Sequence, residues 1–240
     1  MSTRQTVTLG SERFRVGPWH PDPTVAYLAL LPELPRPSVE GLRRCCEQLA
    51  ESGYTSIITS ALHTDESTPF RDAGFTEYDR LRVLAHDLRG LRGLAAPSDG
   101  SDIRLRRARR RDHDTALRVD GRAFPEFWRL DHAGLDEAVD ATPRSRFRVA
   151  EIDGEVVGYA VTGRAADQGF LQRLATEPTR TGQGVGSSLV LDALRWAARR
   201  RVRRMLVNTQ FDNQRALDLY GHLGFELTPT DLVVMARPIP

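Results

Sequence analysis

Lysine is missing from this chain: all 34 of its basic side chains are arginine. That absence excludes the Gly-Lys-Ser/Thr nucleotide loop, whose lysine must reach the phosphates. Cysteine is nearly missing too, since Cys45 and Cys46 are the two thiols among 240 residues. Neighbouring cysteines seldom bridge and two ligands make no zinc site, so neither a disulfide framework nor a metal is expected. The pair reads as reduced, with at least one thiol packed in a core. No apolar run approaches the roughly 18 residues that span a bilayer, and the first twenty residues hold no apolar core of signal-peptide length. A soluble, cytoplasmic protein without membrane association is expected. Net charge is formally +2, too small to imply nucleic acid. The arginine runs at 104–111 and 199–204 have no interleaved aromatics for base stacking, which favours solvated faces.

What is present is a globular composition, 40% hydrophobic and 28% charged, with length for one large or two modest domains. Residues 169–225 carry the most information. A short apolar-rich strand ends at Thr176, Glu177-Pro178-Thr179-Arg180 stops it, and Thr181-Gly182-Gln183-Gly184-Val185-Gly186-Ser187 follows. Leu189, Val190, Ala193, Leu194 and Ala197 then recur at helical spacing, with Asp192, Arg195 and Arg199 assigned to the water side. Glycines there leave backbone N–H groups bare, and at a helix N-terminus such donors favour phosphate or pyrophosphate. The same glycines would also suit a tight connection with no ligand. A dinucleotide fingerprint does not fit, because Gly186 is followed by Ser187 and the third glycine falls one residue early. Met205 to Gln210 reads as the next strand. Asn213 to Phe225 reads as a short helix, capped by Asn213 and stopped by Gly224.

Through Leu174-Ala175-Thr176-Glu177-Pro178, the loop 181–186 and the series Asn213, Ala216, Tyr220 and Gly224-Phe225, the chain resembles the GNAT superfamily of N-acetyltransferases. The resemblance implies an α/β (α+β) acyl-CoA N-acyltransferase fold, a mixed central sheet flanked by helices, with acetyl-CoA as cofactor. It further implies that the loop from Thr181 to Ser187 holds the pyrophosphate and that the backbone of Leu174, Ala175 and Thr176 pairs with the pantetheine arm. Asn213 is then expected to contact the cofactor, and Tyr220 to lie near the thioester sulfur. At the first loop position, usually Arg or Gln in the family, this chain has Thr181, with Arg180 one residue early and Gln183 inside.

The N-terminal part repeats this pattern in worn form. Residues 6–9 and 14–16 look like a hairpin, 25–30 like a buried strand, and 38–52 like a helix capped by Ser38 and ended by Gly53. Phe70-Arg71-Asp72-Ala73-Gly74-Phe75 mirrors Tyr220 to Phe225, and the strand at 81–85 mirrors 232–236. His63 stands in the place of Asn213, Phe70 lacks the Tyr220 hydroxyl, and Arg36-Pro37-Ser38-Val39 has no loop glycine. The expectation is a degenerate half-domain without an active site at 1–95, a linker within 89–102, and a catalytic domain at 101–240, as in a tandem GNAT arrangement.

Within the second domain, 103–106 reads as a strand and 112–122 as a helix, and Phe124, Phe127 and Trp128 follow. They either border the acceptor or cap the core. A helix at 134–141 precedes a meander of strands at 147–151, 156–162 and 169–174, with Asp153-Gly154 as a hairpin turn. Acyl transfer needs a neutral amine, stabilisation of the carbonyl oxygen and a proton for the departing thiolate. Under the resemblance, N–H groups beside Ala175 and the Tyr220 hydroxyl serve the last two needs. Glu126 is the first candidate for the base, with Asp120, Asp131 or a water held by Gln172 or Asn208 as alternatives. Phe124, Phe127, Trp128, Gln172, Asn208 and Gln210 are expected to face the acceptor, a small-molecule amine or, as an alternative, a peptide. Asn208-Thr209-Gln210 replaces the Glu-x-Arg of the ribosomal-protein branch, which favours the small amine. A non-catalytic acetyl-CoA-binding regulator is the competing class, and the chain is expected to be a monomer or homodimer.

Overall fold

The computed structural model of the chain describes residues 4–19, 22–31, 35–93 and 103–239, which fall into two compact units. The first takes the described residues up to Val83, together with 210–212 and those from Thr228 onward; the second takes the described residues from Leu84 to Thr209 and 213–227.

In the first unit, strands β1 (Gln5–Leu9) and β2 (Glu12–Pro18) form a hairpin, and β3 (Val25–Leu30) pairs antiparallel with β2. Helix α1 (Val39–Glu51) begins where the Ser38 side chain accepts the Gly41 N–H, and Gly53 at φ +89° ends it. Strand β4 (Ser56–Thr59) then runs parallel to β3, followed by β5 (Leu62–His63), helix α2 (Thr68–Asp72) and β6 (Thr76–Asp87). Phe14, Leu28, Leu42, Ile57 and Phe70 share a core with both cysteines, so both thiols are buried rather than one alone.

In the second unit, β7 (Arg104–Arg107), helices α3 (His113–Ala123) and α4 (His132–Asp140), then β8 (Arg144–Ile152), β9 (Glu155–Ala165) and β10 (Gln168–Thr176) lead to α5 (Val185–Ala198). β11 (Arg204–Gln210), α6 (Gln214–His222) and β12 (Glu226–Leu227) complete it, apart from Gln210. β7, β8, β9 and β10 are successively antiparallel, while β11 joins β10 in parallel. The sheet alternates as its pleat demands. Ala150, Ala160 and Leu171 face α5, and Val149, Tyr159 and Val161 belong to the core of α3 and α4. A mixed sheet flanked by helices is the expected fold class.

Three expectations are corrected. The last strand, β13 (Leu232–Pro238), pairs antiparallel with both β4 and β6, so the first unit includes the C-terminal strand and no single cut near residue 100 separates the units. Val233 and Met235 supply the reason, since their side chains complete the core around Phe14 and Phe70. Asp192 does not face water: Arg146 and Arg148 of β8 reach its carboxylate at 2.9 and 3.2 Å, because arginines on the helix side of the sheet need a counter-charge. Arg106 in the 104–111 run is likewise not solvated but held by Asp112 and Glu151. The expected linker starts in a 3-10 turn at Leu88–Gly93, and 94–102 lie outside the described residues. Among the described residues no helix is long and apolar enough to cross a membrane, and no group of three or more metal-ligating side chains occurs.

Candidate active site

β10 and β11 begin together and then part. Their parallel pairing covers Gln168, Gly169 and Phe170 against Arg204, Met205 and Leu206 and stops there. On its other side β10 stays paired with β9 to Thr176, with a bulge between Leu171 and Arg173 that leaves Gln172 as the extra residue. A bulge bends its strand and raises local twist, and here it carries the end of β10 away from β11. The backbone from Leu171 to Thr176 therefore has an edge toward β11 that no strand of this unit fills. An extended amide chain is the shape that pairs with such an edge.

The loop beyond β10 delivers a second set of free donors. Gly182 and Gly184 adopt φ +80° and +76°, which L side chains rarely take. Gly184 is the N-cap of α5 and offers no side chain to cap it, and the first turn contains no acidic residue. The first helical bond runs from the Ser188 N–H to the Gly184 carbonyl, so the amides of Val185, Gly186 and Ser187 are not spent inside the helix. Gly158 explains how α5 sits so close to the sheet: a Cβ there would lie 2.9 Å from Val185 and 3.0 Å from the Ala175 carbonyl. A cavity of about 620 Å³ adjoins Thr179 and Arg180, with Arg111 and Arg118 on its wall. Uncapped amides, glycines and a neighbouring positive wall fit a pyrophosphate.

α6 brings Tyr220 and Asn213 to the same unit. Asn213 caps the helix by accepting the Ala216 N–H at 3.1 Å. Tyr220 is 5% exposed, with its ring 5.5 Å from Phe225. Burial alone pushes its hydroxyl well above the ordinary tyrosine range, with neither a charge nor a hydrogen bond contributing. The phenol thus keeps its proton throughout neutral pH.

The carboxylates sort themselves by environment. Asp120 is fully buried and accepts from the Tyr159 hydroxyl at 2.5 Å, from Arg173 Nε and Nη2 at 2.8 Å each and from the Leu130 N–H at 2.8 Å. It is occupied on both oxygens, which removes it as a base. Asp131 is spent as the N-cap of α4, accepting the Gly134 N–H at 2.7 Å. Glu126 is exposed, in the 3-10 turn Glu126–Trp128. Arg173 also donates to the Trp128 carbonyl at 2.7 Å and lies 3.5 Å over the Phe124 ring, while Phe127 meets Trp128 edge-on. Phe124 and Trp128 are therefore held by β10 through one guanidinium. Gln172 buries its Oε1 without a partner among the described residues, beside Gly163 and Thr142. Asn208 is exposed on β11, whereas Gln210 groups with the first unit. Arg173, Tyr159 and Gly158 escaped the sequence reading; a glycine inside an apolar strand was the available signal for the last.

The family model described as "Acetyltransferase (GNAT) family" matches residues 113–225. A mycothiol acetyltransferase of Amycolatopsis mediterranei is 33% identical over 137 residues, covering 50% of this chain and 45% of that protein. One from Streptomyces avermitilis is 31% identical over 169 residues, covering 67% of this chain and 54% of its own length. The chain thus spans about half the length of these relatives. Among solved structures, a tandem GNAT protein from the clavulanic acid biosynthesis pathway aligns at TM-score 0.68 and 15% identity over 97% of this chain and 81% of its own. A GCN5-related N-acetyltransferase from Kribbella flavida aligns at 0.65 and 16% identity over 99% and 91%. At these identities the likeness is one of fold.

Proposed function

Residues 113–225 belong to the GNAT acetyltransferase family, and on that premise we propose that the chain transfers the acetyl group of acetyl-CoA to the primary amine of a small molecule. The uncapped, glycine-lined start of α5 beside the parting of β10 and β11 is the observation that carries the proposal. Acetyl-CoA, when bound, supplies an activated thioester. Amides from Thr181 to Ser187 hold its pyrophosphate, the free edge at Leu174, Ala175 and Thr176 pairs with its pantetheine amides, and Asn213 contacts it through the side-chain nitrogen. The direction of the bare edge orients the thioester toward α6, where the protonated Tyr220 hydroxyl is presented to the departing sulfur. N–H groups beside Ala175 stabilise charge on the carbonyl oxygen.

Glu126 takes the amine proton in this reading, because Asp120 and Asp131 are already committed to structural bonds. Phe124, Phe127 and Trp128 form the apolar border of the acceptor, and Gln172 and Asn208 supply polar contacts. The names of the relatives support a small acceptor over a protein N-terminus.

Calorimetric titration with acetyl-CoA tests the reading. Wild-type protein is expected to bind, whereas Gly184→Asp and Gly186→Asp are not, since each carboxylate would repel the pyrophosphate. Failure of the wild type to bind would make the loop structural and remove the enzyme reading with it.

A further inference from the structure

The two units share one order of elements. β1, β2, β3, α1, β4 and α2 in the first correspond to β8, β9, β10, α5, β11 and α6 in the second. In each, the helix follows a strand that pairs in parallel with the next. The start of α1 is therefore the topological counterpart of the uncapped start of α5. It is not bare. Glu12, the first residue of β2, places its carboxylate there: Oε1 accepts the Ser38 N–H at 2.5 Å and Oε2 accepts the Ser38 hydroxyl at 3.2 Å. The Ser38 hydroxyl in turn accepts the Gly41 N–H at 3.0 Å. Arg44 lies 3.8 Å from Oε2.

Gly41 shows how tightly the carboxylate is seated. A Cβ on that residue would fall 1.6 Å from Glu12 Oε2 and 2.7 Å from Oε1. The glycine is inside a helix, where it costs stability relative to alanine, and its φ is not in the left-handed region. Close approach of the carboxylate is what the missing Cβ permits. A backbone N–H, a hydroxyl and a guanidinium around a helix N-terminus are the donors that a phosphate takes. The side chain of Glu12 supplies the same charge and acceptor geometry from within the chain, and it is 18% exposed.

We infer that the first unit retains an anion-binding helix terminus that Glu12 occupies permanently, closing it to phosphate-type ligands. The unit is thus silent because its anion site is filled, beyond its having lost loop glycines. This stands on the contacts of Glu12 and is independent of whether the second unit is an enzyme.

Thermal unfolding of the full chain at low ionic strength tests it through four proteins: wild type, Glu12→Ala, Gly41→Ala and the double variant. Gly41→Ala alone is expected to lower Tm by roughly 2–4 °C, because the new methyl evicts the carboxylate. In the Glu12→Ala background the same change is expected to be neutral or to raise Tm, since the higher helix propensity of alanine is then unopposed. Inorganic phosphate is expected to raise Tm of Glu12→Ala more than that of wild type and more than sodium chloride of matched ionic strength. Phosphate bound at the α5 loop would move both proteins equally and cancels in this comparison. If Glu12→Ala does not fold, Glu12→Gln takes its place with a smaller expected fall. Additive effects of the two substitutions, or a phosphate response no larger than the wild type's, overturn the inference.

Discussion

Asp120→Ala is expected to destabilise the second unit severely, because one carboxylate terminates four donors in a place water does not reach. Asp120 is 0% exposed and Arg173, its main partner, has a side chain 15% exposed. Breaking a buried ion pair from one side costs on the order of 3–5 kcal/mol, since the remaining charge stays buried without compensation. The Tyr159 hydroxyl and Leu130 N–H lose their acceptor as well, each worth about 1–3 kcal/mol if left unsatisfied. Arg173 keeps the Trp128 carbonyl and the Phe124 ring, which offsets part of this. A net loss of about 4 kcal/mol follows, or roughly 10 °C in Tm for a chain of this size. Urea denaturation followed by circular dichroism measures it. Arg173→Met alone should also destabilise, but Asp120→Ala with Arg173→Met should lose less than the sum, because neither variant then buries a lone charge. A loss below about 1 kcal/mol for Asp120→Ala, or strict additivity of the pair, would refute the reasoning. A carboxylate acting only as a base would instead leave stability intact and abolish turnover.

Tyr220→Phe should leave acetyl-CoA affinity by calorimetry unchanged and slow acetyl transfer by about 10²-fold or more, the usual scale of a positioned acid; equal rates would remove Tyr220 from the mechanism. Asp112 is held down to about 2, first by hydrogen bonds from Arg106, so its stabilisation is complete above pH about 4 and lost as pH falls toward 2. Urea midpoints compared near pH 3 and pH 7 should therefore differ less in Asp112→Asn than in wild type. At the alkaline end, burial raises the pKa of both Tyr159 and Tyr220, so their contribution persists up to about pH 10 and is lost as pH rises through the folded-state values. Cys45, pushed up to about 12 by burial and then by Cys46 and Glu12, should resist alkylation in the native protein near pH 8 and react fully in urea; native labelling at the rate of a free thiol would contradict its burial.

Several features were legible from the chain because their causes lie within a few residues. The helical spacing of Leu189, Val190, Ala193, Leu194 and Ala197 is a local period, and all five are buried along α5. Ser38 and Asn213 cap their helices because a short polar side chain reaches the N–H three residues on. Gly53 and Gly224 end helices because their φ values suit glycine. The loop from Thr181 to Ser187 was legible for the same reason: its glycines and the absence of a cap are written consecutively. Other features depend on which distant segments meet. The partners of Asp120 lie 10, 39 and 53 positions away, and Asp192 is paired with arginines more than forty positions off. Neither periodicity nor propensity carries that information, so the two acids read as a base candidate and a solvated residue until β8, β9 and β10 were in register. The parting of β10 from β11 needs a bulge against β9, and the placement of β13 needs the core around Phe14. Glu12 is the sharpest instance: as the first residue of a hairpin strand it reads as solvated surface, and only the approach of α1 turns it into the ligand of a helix.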